Sequence, residues 1–212
     1  VYDAARAFLA TERGQLIRKS EPSLVDILDD HAALRQLPAG SVGQAYCDFM
    51  EREGLSAQGL VDELDKYRRP DQYFNDQVDW YFRRMRDTHD LMHVLSGYGR
   101  DALGEQCVLA FTYGQQPALA HLFLGYAGAL EISKRARTKV PVFRAVREAQ
   151  KMGGSIPRLV ETSIRELLAM PLDEARRTLG IKPTRFYSEA HNKWRAAGID
   201  PYDLLAPVAQ AA

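Results

Sequence analysis

Cysteine is scarce in this chain, because its 212 residues include only Cys47 and Cys107. Neither belongs to a Cys-x-x-Cys pair, so a disulfide framework is not predicted and we expect two reduced, buried thiols. An excess of charge is also missing, since 28 basic residues balance 28 acidic ones. A protein that binds duplex nucleic acid needs an unbalanced basic face, so we expect no nucleic-acid partner. The zero net charge is compatible with self-association as a homo-oligomer and with membrane contact.

Long hydrophobic runs are missing as well. The longest nearly apolar stretch, Ala118 to Leu130, is shorter than the about 20 residues that a membrane-spanning helix needs. Residues 1–10 contain no apolar core behind a basic start, so no signal peptide is expected. The missing initiator Met suggests a trimmed chain, which leaves a lost leader open. We therefore expect a soluble or peripheral protein.

No segment shows the sustained alternation of a β-strand, whereas apolar residues recur at three and four positions throughout the chain. This pattern predicts an all-α fold, and the lack of a long linker predicts a single domain over residues 1–212. Proline and glycine mark the expected boundaries. Of the main predicted helices, one runs from Pro22 to about Gln36 and the next starts after a cap at Ser56. A third runs from about Asp71 to Ser96, and a fourth runs from a cap at Asp101 to about Tyr113. The fifth has Pro117 in its first turn and ends at Arg137.

Two histidines, His89 and His93, lie four residues apart in one of these helices. This spacing places both imidazoles on one helix face about one turn apart, where two ring nitrogens can reach one metal ion. The same face continues backwards through Met85 and Tyr81, so the histidines should point inward. Buried imidazoles need a hydrogen-bond or metal partner. The spacing therefore indicates a metal site.

A carboxylate is available on the next predicted helix, beyond the break at Gly97 and Gly99. Glu105 shares a face with apolar residues, which is uncommon for a carboxylate unless it is paired. Nitrogen and oxygen ligands of this kind suit zinc, iron or manganese. Asp90 can complete the ligand set or hydrogen-bond to an imidazole. The sequence thus predicts a metal site between two consecutive helices.

The histidine pair has two other possible interpretations. The first is an unliganded pair, which the neighbouring Asp90 and the inward Glu105 make less favoured. The second is a zinc protease, whose helix motif has Glu directly after its first His. Asp90 stands at that position and no third His follows at the protease spacing, so we reject the protease interpretation.

The stretch Arg86-Asp87-Thr88-His89-Asp90-Leu91-Met92-His93-Val94-Leu95, followed by Gly97-Tyr98-Gly99 and Leu103-Gly104-Glu105, closely resembles the signature of the family of the fourth coenzyme Q (ubiquinone) biosynthesis protein. Leu37-Pro38-Ala39-Gly40-Ser41-Val42-Gly43, Tyr46 and Phe49-Met50 upstream are also similar to that family. The resemblance covers most of the chain. It implies that His89, Asp90, His93 and Glu105 are metal ligands, usually for zinc.

The resemblance also implies two alternative functions. One is an enzyme, a metal-dependent decarboxylase that replaces the carboxylate at ring carbon one of a polyprenyl hydroxybenzoate by a hydroxyl group. The other is a non-catalytic lipid-binding scaffold for the other ubiquinone-biosynthesis enzymes. Either role implies peripheral association with a membrane surface: the cytoplasmic face of the inner membrane in a bacterium, or the matrix side of the mitochondrial inner membrane in a eukaryote.

Three further features have both a structural and a functional interpretation. The small residues within Ala118 to Leu130 either pack against a neighbouring helix or form one wall of an apolar tunnel for a prenyl lipid. The basic cluster after them either complements the helix dipole or contacts anionic lipid. Its members are Lys134, Arg135, Arg137 and Lys139. Arg83, Arg84 and Arg86 either bind a substrate carboxylate or lie at the surface.

Overall fold

The structure, a computed structural model, describes residues 2–66, 77–136 and 138–204, and these residues form α-helices and short 3₁₀ helices but no β-strand. The all-α prediction is confirmed. None of the helices in the described ranges has the length and apolar character needed to cross a bilayer. The α-helices are α1 (Tyr2–Leu9), α2 (Glu12–Ser20), α3 (Leu24–Leu28), α4 (His31–Leu34), α5 (Val42–Glu53), α6 (Ala57–Asp65), α7 (Gln77–Asp87), α8 (His89–Ser96), α9 (Ala102–Gln115), α10 (Leu119–Arg135), α11 (Val142–Ser155), α12 (Ile164–Ala169), α13 (Leu172–Leu179) and α14 (Arg185–Ala196).

The chain divides into two compact units, each assembled from two segments. The first unit comprises Val1–Leu95 and Pro157–Leu179, and the second comprises Ser96–Ile156 and Gly180–Ala212. The first unit therefore holds α1 to α7, most of α8, α12 and α13, and the second holds α9, α10, α11 and α14. The single-domain organisation over residues 1–212 remains a prediction.

A buried ion pair ties the segments of the first unit together. Arg84 on α7 contacts Glu21, which follows α2, with 2.7 Å between Nη1 and Oε2. Both side chains are almost fully buried. The Glu21 carboxylate also accepts hydrogen bonds from the amides of Ile164 and Arg165 at the start of α12. Three distant parts of the chain thus meet at one carboxylate.

The helix predicted from Pro22 to about Gln36 is in fact two short helices, α3 and α4, separated at Asp29 and Asp30. The Asp30 side chain accepts a hydrogen bond from the amide of Ala33 and so caps α4. Asp29 turns the other way and accepts from the amide of Ala57 at 2.6 Å, which caps α6. Aspartate side chains compete with the helical backbone for its amides, which explains the interruption. The predicted cap at Ser56 is confirmed, since its hydroxyl accepts from the amide of Gly59.

The helix predicted from about Asp71 to Ser96 is divided at Thr88 into α7 and α8. Residues 71–76 lie outside the described ranges. The Thr88 hydroxyl donates to the Met85 carbonyl. The Thr88 amide still donates to the Arg84 carbonyl, and the Thr88 carbonyl accepts from the Met92 amide. The helical hydrogen bonds therefore continue across Thr88, and the direction of the chain into α8 is kept.

Three helices of the second unit, α9, α10 and α11, pack against one another. The closest approach is between α9 and α11, where a Cβ atom on Gly153 would lie 2.1 Å from the Phe111 carbonyl oxygen. The same is true in reverse at Gly114, where a Cβ atom would lie 2.4 Å from the Gln150 carbonyl oxygen. The α9–α11 contact therefore depends on glycine from both helices.

The predicted boundaries in this unit are mostly confirmed. The Asp101 side chain caps α9 by accepting from the amides of Leu103 and Gly104. Pro117, however, lies before α10 rather than in its first turn, because that helix begins at Leu119. The helix ends at Arg135, and Arg137 lies outside the described residues.

The expectation for the two cysteines is also confirmed. Cys47 in the first unit and Cys107 in the second are both buried, and neither forms a disulfide. Burial raises the pKa of both thiols, so they stay protonated at neutral pH.

Candidate metal centre

The three ligand-type residues of the motif in the first unit form a cluster. Ligand atoms of His89, Asp90 and His93 all lie within 4.8 Å of one another. The ring centroids of His89 and His93 are 5.1 Å apart and their planes are inclined at 79°. Asp90 and His93 are buried and His89 is partly buried. The one-turn spacing therefore directs both imidazoles and the carboxylate to one place.

The cluster is close to the size that a single metal ion requires. Two ligand atoms that each lie about 2.0–2.1 Å from one ion can be at most about 4.2 Å apart. The ligand atoms of His89, Asp90 and His93 lie within 4.8 Å of one another, which is close to that limit. Two imidazole nitrogens and one carboxylate oxygen are a ligand set suited to zinc, iron or manganese.

Aromatic residues of α5 line this cluster. The Phe49 ring stacks on His93 with 5.5 Å between centroids and 22° between planes. Tyr46 is fully buried one turn earlier on the same helix, and its hydroxyl makes no hydrogen bond to another described residue. Burial and the negative charge of Asp90 raise the pKa of Tyr46, so its hydroxyl stays protonated at neutral pH. The resemblance included Tyr46 and Phe49, but no helical pattern indicated their role beside the histidines.

The three arginines before the motif all bind carboxylates of the protein. Arg83 pairs with Asp79 one turn earlier, and Arg86 contacts Asp87 at 2.7 Å. Arg84 is buried against Glu21. Arg84 also donates to backbone carbonyls near the 3₁₀ helix Leu159–Glu161. In the first unit these arginines thus have structural partners, and neither a substrate grip nor simple exposure describes Arg84.

Ionisation of the buried pair is set by competing effects. Burial opposes the charged form of Glu21, but the hydrogen bond from the Arg165 amide and the charge of Arg84 together hold its pKa below the ordinary value of 4.5. Burial lowers the pKa of Arg84, and the attraction of Glu21 opposes that shift. Burial also raises the pKa of Asp87, against the hydrogen bond and charge of Arg86.

The fourth predicted ligand, Glu105, lies in the first turn of α9 in the second unit. Its amide donates to the Asp101 carbonyl at 3.0 Å, which continues the cap. Its carboxylate contacts Arg100, with 3.2 Å between Oε1 and Nε, and the Glu105 side chain is 30% exposed. The participation of Glu105 in the site remains a prediction.

A buried polar network in the second unit holds the start of α9. Asp101 accepts a hydrogen bond from the Tyr187 hydroxyl, and its Oδ1 lies 3.0 Å from Nε2 of His191. The Tyr187 oxygen also accepts from the amide of Gly99 at 2.9 Å. Burial would raise the pKa of Asp101, but the hydrogen bond and charge of His191 hold it below its ordinary value. Sequence reasoning missed Tyr187 and His191, and the only available signal was their four-residue spacing.

The small residues of α10 pack against α9 in the second unit. A Cβ atom on Gly125 would lie 3.3 Å from the Gln106 carbonyl oxygen, and one on Gly128 would lie 2.2 Å from the end of the Gln106 side chain. This contact supports the packing interpretation of these residues. The lipid tunnel remains a prediction. The other side of α10 is exposed at Leu119, Phe123, Leu124 and Leu130.

The chain was compared with known protein families and structures. Residues 2–185 match the family described as "Coenzyme Q (ubiquinone) biosynthesis protein Coq4". The mitochondrial ubiquinone biosynthesis protein coq4 of Talaromyces stipitatus is 30% identical over 185 residues, which cover 86% of this chain and 60% of that protein. The mitochondrial coq-4 protein of Neurospora crassa is 26% identical over 86% of this chain and 50% of its own length.

A solved structure shares the fold. The crystal structure of a protein from Nostoc punctiforme matches with a TM-score of 0.51 at 21% identity, over 85% of this chain and 87% of that one. Against the curated sequences, in contrast, the chain spans about half to three fifths of the length of the relatives named above. Since the family match extends over most of the chain, including all four predicted ligand positions, the chain belongs to the Coq4 family of coenzyme Q (ubiquinone) biosynthesis proteins.

Proposed function

We propose that this protein acts in ubiquinone biosynthesis as a metal-dependent enzyme that removes the carboxylate at ring carbon one of a polyprenyl hydroxybenzoate. The observation that supports the proposal is the buried cluster of His89, Asp90 and His93, whose ligand atoms lie within 4.8 Å of one another. A metal-binding cluster is needed for a metal-dependent reaction. The family's names supply the pathway, and the choice of reaction comes from the resemblance of the motif.

The side chains of the first unit have distinct roles in this proposal. His89 and His93 supply nitrogen ligands, and Asp90 supplies an oxygen ligand or orients an imidazole. Phe49 restricts rotation of the His93 ring by stacking on it. Tyr46 keeps its proton, so it presents a hydroxyl donor in a buried position where the negative charge of Asp90 is felt. Glu105 is the proposed fourth ligand.

The bound metal would supply a positive charge that attracts the substrate oxygens and stabilises negative charge as the carbon–carbon bond breaks. The resemblance favours zinc. Iron or manganese is the alternative, and a redox-active ion suits replacement of the carboxylate by hydroxyl better than zinc, which does not change valence.

The substrate class requires contact with a membrane, because a polyprenyl chain does not dissolve in water. Leu119 and Phe123 on α10 are 78% and 72% exposed, and Lys134 and Arg135 lie at the end of the same helix. An apolar helix face with cations at its C-terminal end suits the boundary between acyl chains and anionic headgroups, although Arg135 also pairs with Glu131. We propose that this face rests on the bilayer, on the cytoplasmic side in a bacterium or the matrix side in a mitochondrion, next to an apolar tunnel for the prenyl chain.

A lipid-binding scaffold is the second candidate, and the same exposed face of α10 favours it. An apolar surface of this kind can also bind partner enzymes of the pathway. The two candidates differ at the metal: an enzyme keeps a coordination position for substrate, whereas a structural ion has all its ligands from protein. Turnover is therefore the deciding measurement.

The test combines metal analysis with turnover of a prenylated benzoate by the purified protein. With dioxygen and a two-electron donor supplied, we expect wild type to carry a stoichiometric divalent metal, to release the ring carboxylate as carbon dioxide and to leave a hydroxyl group at ring carbon one, with water as the other product. His93→Ala should lose both metal and turnover while keeping its helical circular dichroism. His121→Ala is the matched control for metal content, because His121 lies on α10 in the second unit and is not a member of the cluster. Stoichiometric metal without turnover in the presence of dioxygen and the electron donor would favour the scaffold.

Glu105 is tested separately by Glu105→Gln, which keeps the size of the side chain and removes its charge. We expect metal affinity to fall, because an amide oxygen is a weaker ligand than a carboxylate. Glu131→Gln is the matched control, since Glu131 on α10 pairs with Arg135 at the surface. Equal metal affinity in the two variants would exclude Glu105 as a ligand.

A further inference from the structure

A cavity of about 640 Å³ lies in the second unit, between α11 and the segment that leads into α14. Three of its lining cations come from one face of α11, at positions three and four residues apart. These are Arg144, Arg147 and Lys151, and Lys182 approaches from the segment before α14. Four positive charges thus surround one concavity in a chain whose net charge is zero.

The four exposed cations outnumber the carboxylate that lines the cavity with them. Within the described ranges none of the four makes an ion pair with a carboxylate. Glu148 is the acidic residue among the described lining residues, and its carboxylate accepts a hydrogen bond from the Phe186 amide at 3.1 Å. This hydrogen bond fixes the Glu148 carboxylate at the start of α14. The lining of four cations and one carboxylate therefore has an excess of positive charge.

One of the cations is held in place. The Arg144 guanidinium lies over the Phe186 ring at 3.9 Å from its centroid. Stacking uses the face of the guanidinium and leaves its N–H edge available for an anion. The hydrogen bond from Phe186 to Glu148 joins α14 to α11 beside it. Contacts between α11, which carries three of the cations, and the start of α14 thus brace the walls of the cavity.

We infer that this cavity is an anion-binding site for a phosphate-bearing ligand with two or more negative charges. One carboxylate would neutralise only one of the four cations, whereas a phosphomonoester or diphosphate offers several charged oxygens to Arg144, Arg147, Lys151 and Lys182. The concave shape favours a small group over a flat protein surface. Its source is either a phosphate headgroup in a membrane or a free phosphorylated molecule.

The site is tested by titrating the full chain with inorganic pyrophosphate in a calorimeter. Wild type should bind, and binding should weaken as salt is added. Arg147→Glu/Lys151→Glu should reduce the affinity at least about tenfold, since both interactions are charge-assisted. Arg13→Glu/Arg195→Glu is the matched control, because it changes net charge equally at exposed positions outside the cavity. The control should bind as wild type does.

Two further variants test the effect of charge removal alone and the effect of the metal centre. Arg147→Gln/Lys151→Gln removes charge without reversing it and should lose part of the affinity, with unchanged helical circular dichroism. His89→Ala/His93→Ala should bind pyrophosphate normally. Loss of binding in that variant would show that pyrophosphate acts at the metal centre and would overturn the inference.

The two sources are separated by flotation with vesicles of phosphatidylcholine containing phosphatidic acid. A membrane source predicts that Arg147→Glu/Lys151→Glu floats less than the matched control. A soluble source predicts equal flotation of the two variants together with loss of pyrophosphate binding in the cavity variant. Failure of wild type to bind either probe, or binding that is the same in all variants, would refute the site.

Discussion

At the residue scale, the buried Glu21 carboxylate of the first unit is met by several partners. The Glu21 carboxylate faces Arg84, the hydroxyl of Ser163 and the amides of Ile164 and Arg165. Its oxygens are thus satisfied without water. Removing either partner of such a pair leaves an uncompensated charge in the interior, which costs more than the pair itself contributes. Both predictions at this scale follow from this asymmetry.

Arg84→Leu should lower the free energy of unfolding by about 3–5 kcal/mol, because it strands the Glu21 charge. Chemical denaturation monitored by circular dichroism measures the change. The control is Arg135→Leu, whose partner Glu131 is partly exposed, as Arg135 itself is. An exposed pair of this kind contributes about 0–1 kcal/mol. Equal effects of the two substitutions would contradict the structural role of Arg84.

The pH dependence of stability follows from the same carboxylate. The folded state holds the pKa of Glu21 below 4.5, so the folded protein binds fewer protons at this group than the unfolded chain does. This stabilisation is present above pH 4.5 and is lost as the pH falls through the folded pKa. Glu21→Gln should therefore be less stable at pH 7 and should lose less stability than wild type on acidification. Denaturation curves between pH 7 and pH 3 test this, and parallel curves would be the contrary result.

At the element scale, glycine decides how closely helices approach. Gly153 and Gly154 are neighbours on α11 and both face the backbone of α9, but only a side chain on Gly153 would clash with it. A Cβ atom on Gly153 would lie 2.1 Å from the Phe111 carbonyl oxygen, whereas one on Gly154 would have its nearest neighbour at 3.6 Å. Backbone cannot move aside as a flexible side chain does, so one position tolerates alanine and the other does not.

Gly153→Ala should destabilise the protein by about 1–3 kcal/mol or more, since α9 and α11 must separate. Gly154→Ala should be neutral or stabilising by up to about 1 kcal/mol, because alanine favours the helix. Thermal unfolding followed by circular dichroism distinguishes the two neighbours. A similar loss of stability in both would indicate that helix propensity or an unrelated contact, rather than the close approach, limits this position.

At the scale of the whole molecule, the exposed apolar face of α10 is the surface that would carry the proposed bilayer contact. Exposed apolar patches of this kind can mark contact with a membrane or with another protein. The relatives from Talaromyces stipitatus and Neurospora crassa are named as mitochondrial proteins of ubiquinone biosynthesis. The pathway's product is membrane-soluble, which agrees with the proposed bilayer contact.

Phe123→Asp should reduce flotation with anionic vesicles about tenfold, because it replaces a side chain whose burial in lipid is worth about 1.5–3 kcal/mol by a charge. Leu16→Asp is the control, since Leu16 is 67% exposed on α2 of the first unit. Equal recovery of Phe123→Asp and wild type in the floating fraction would exclude this face.

Neutralising Lys134, Arg135 and Arg137 should weaken vesicle binding in low salt and have less effect in high salt.

Much of the fold is decided by interactions a few residues long, and these can be worked out from the chain alone. The helical period puts His89 and His93 one turn apart, the short side chain of Asp101 caps α9, and Gly54 ends α5 with a φ of 66°. Each depends on the geometry of a single turn of helix. The nitrogen ligands of the candidate metal centre could therefore be found without a structure.

Contacts between distant segments are decided only when helix faces meet. Asp29 interrupts a predicted helix because it caps another helix 28 residues later. Arg84 is buried in an ion pair with Glu21, which follows the C-terminal end of α2. The His93 ring stacks on Phe49, which lies on α5. Periodicity shows which face of a helix is apolar, but it does not show which face of another helix will pack against it. The partners of buried charges and rings are chosen by that packing, since each must be compensated by whatever group the tertiary structure brings within reach.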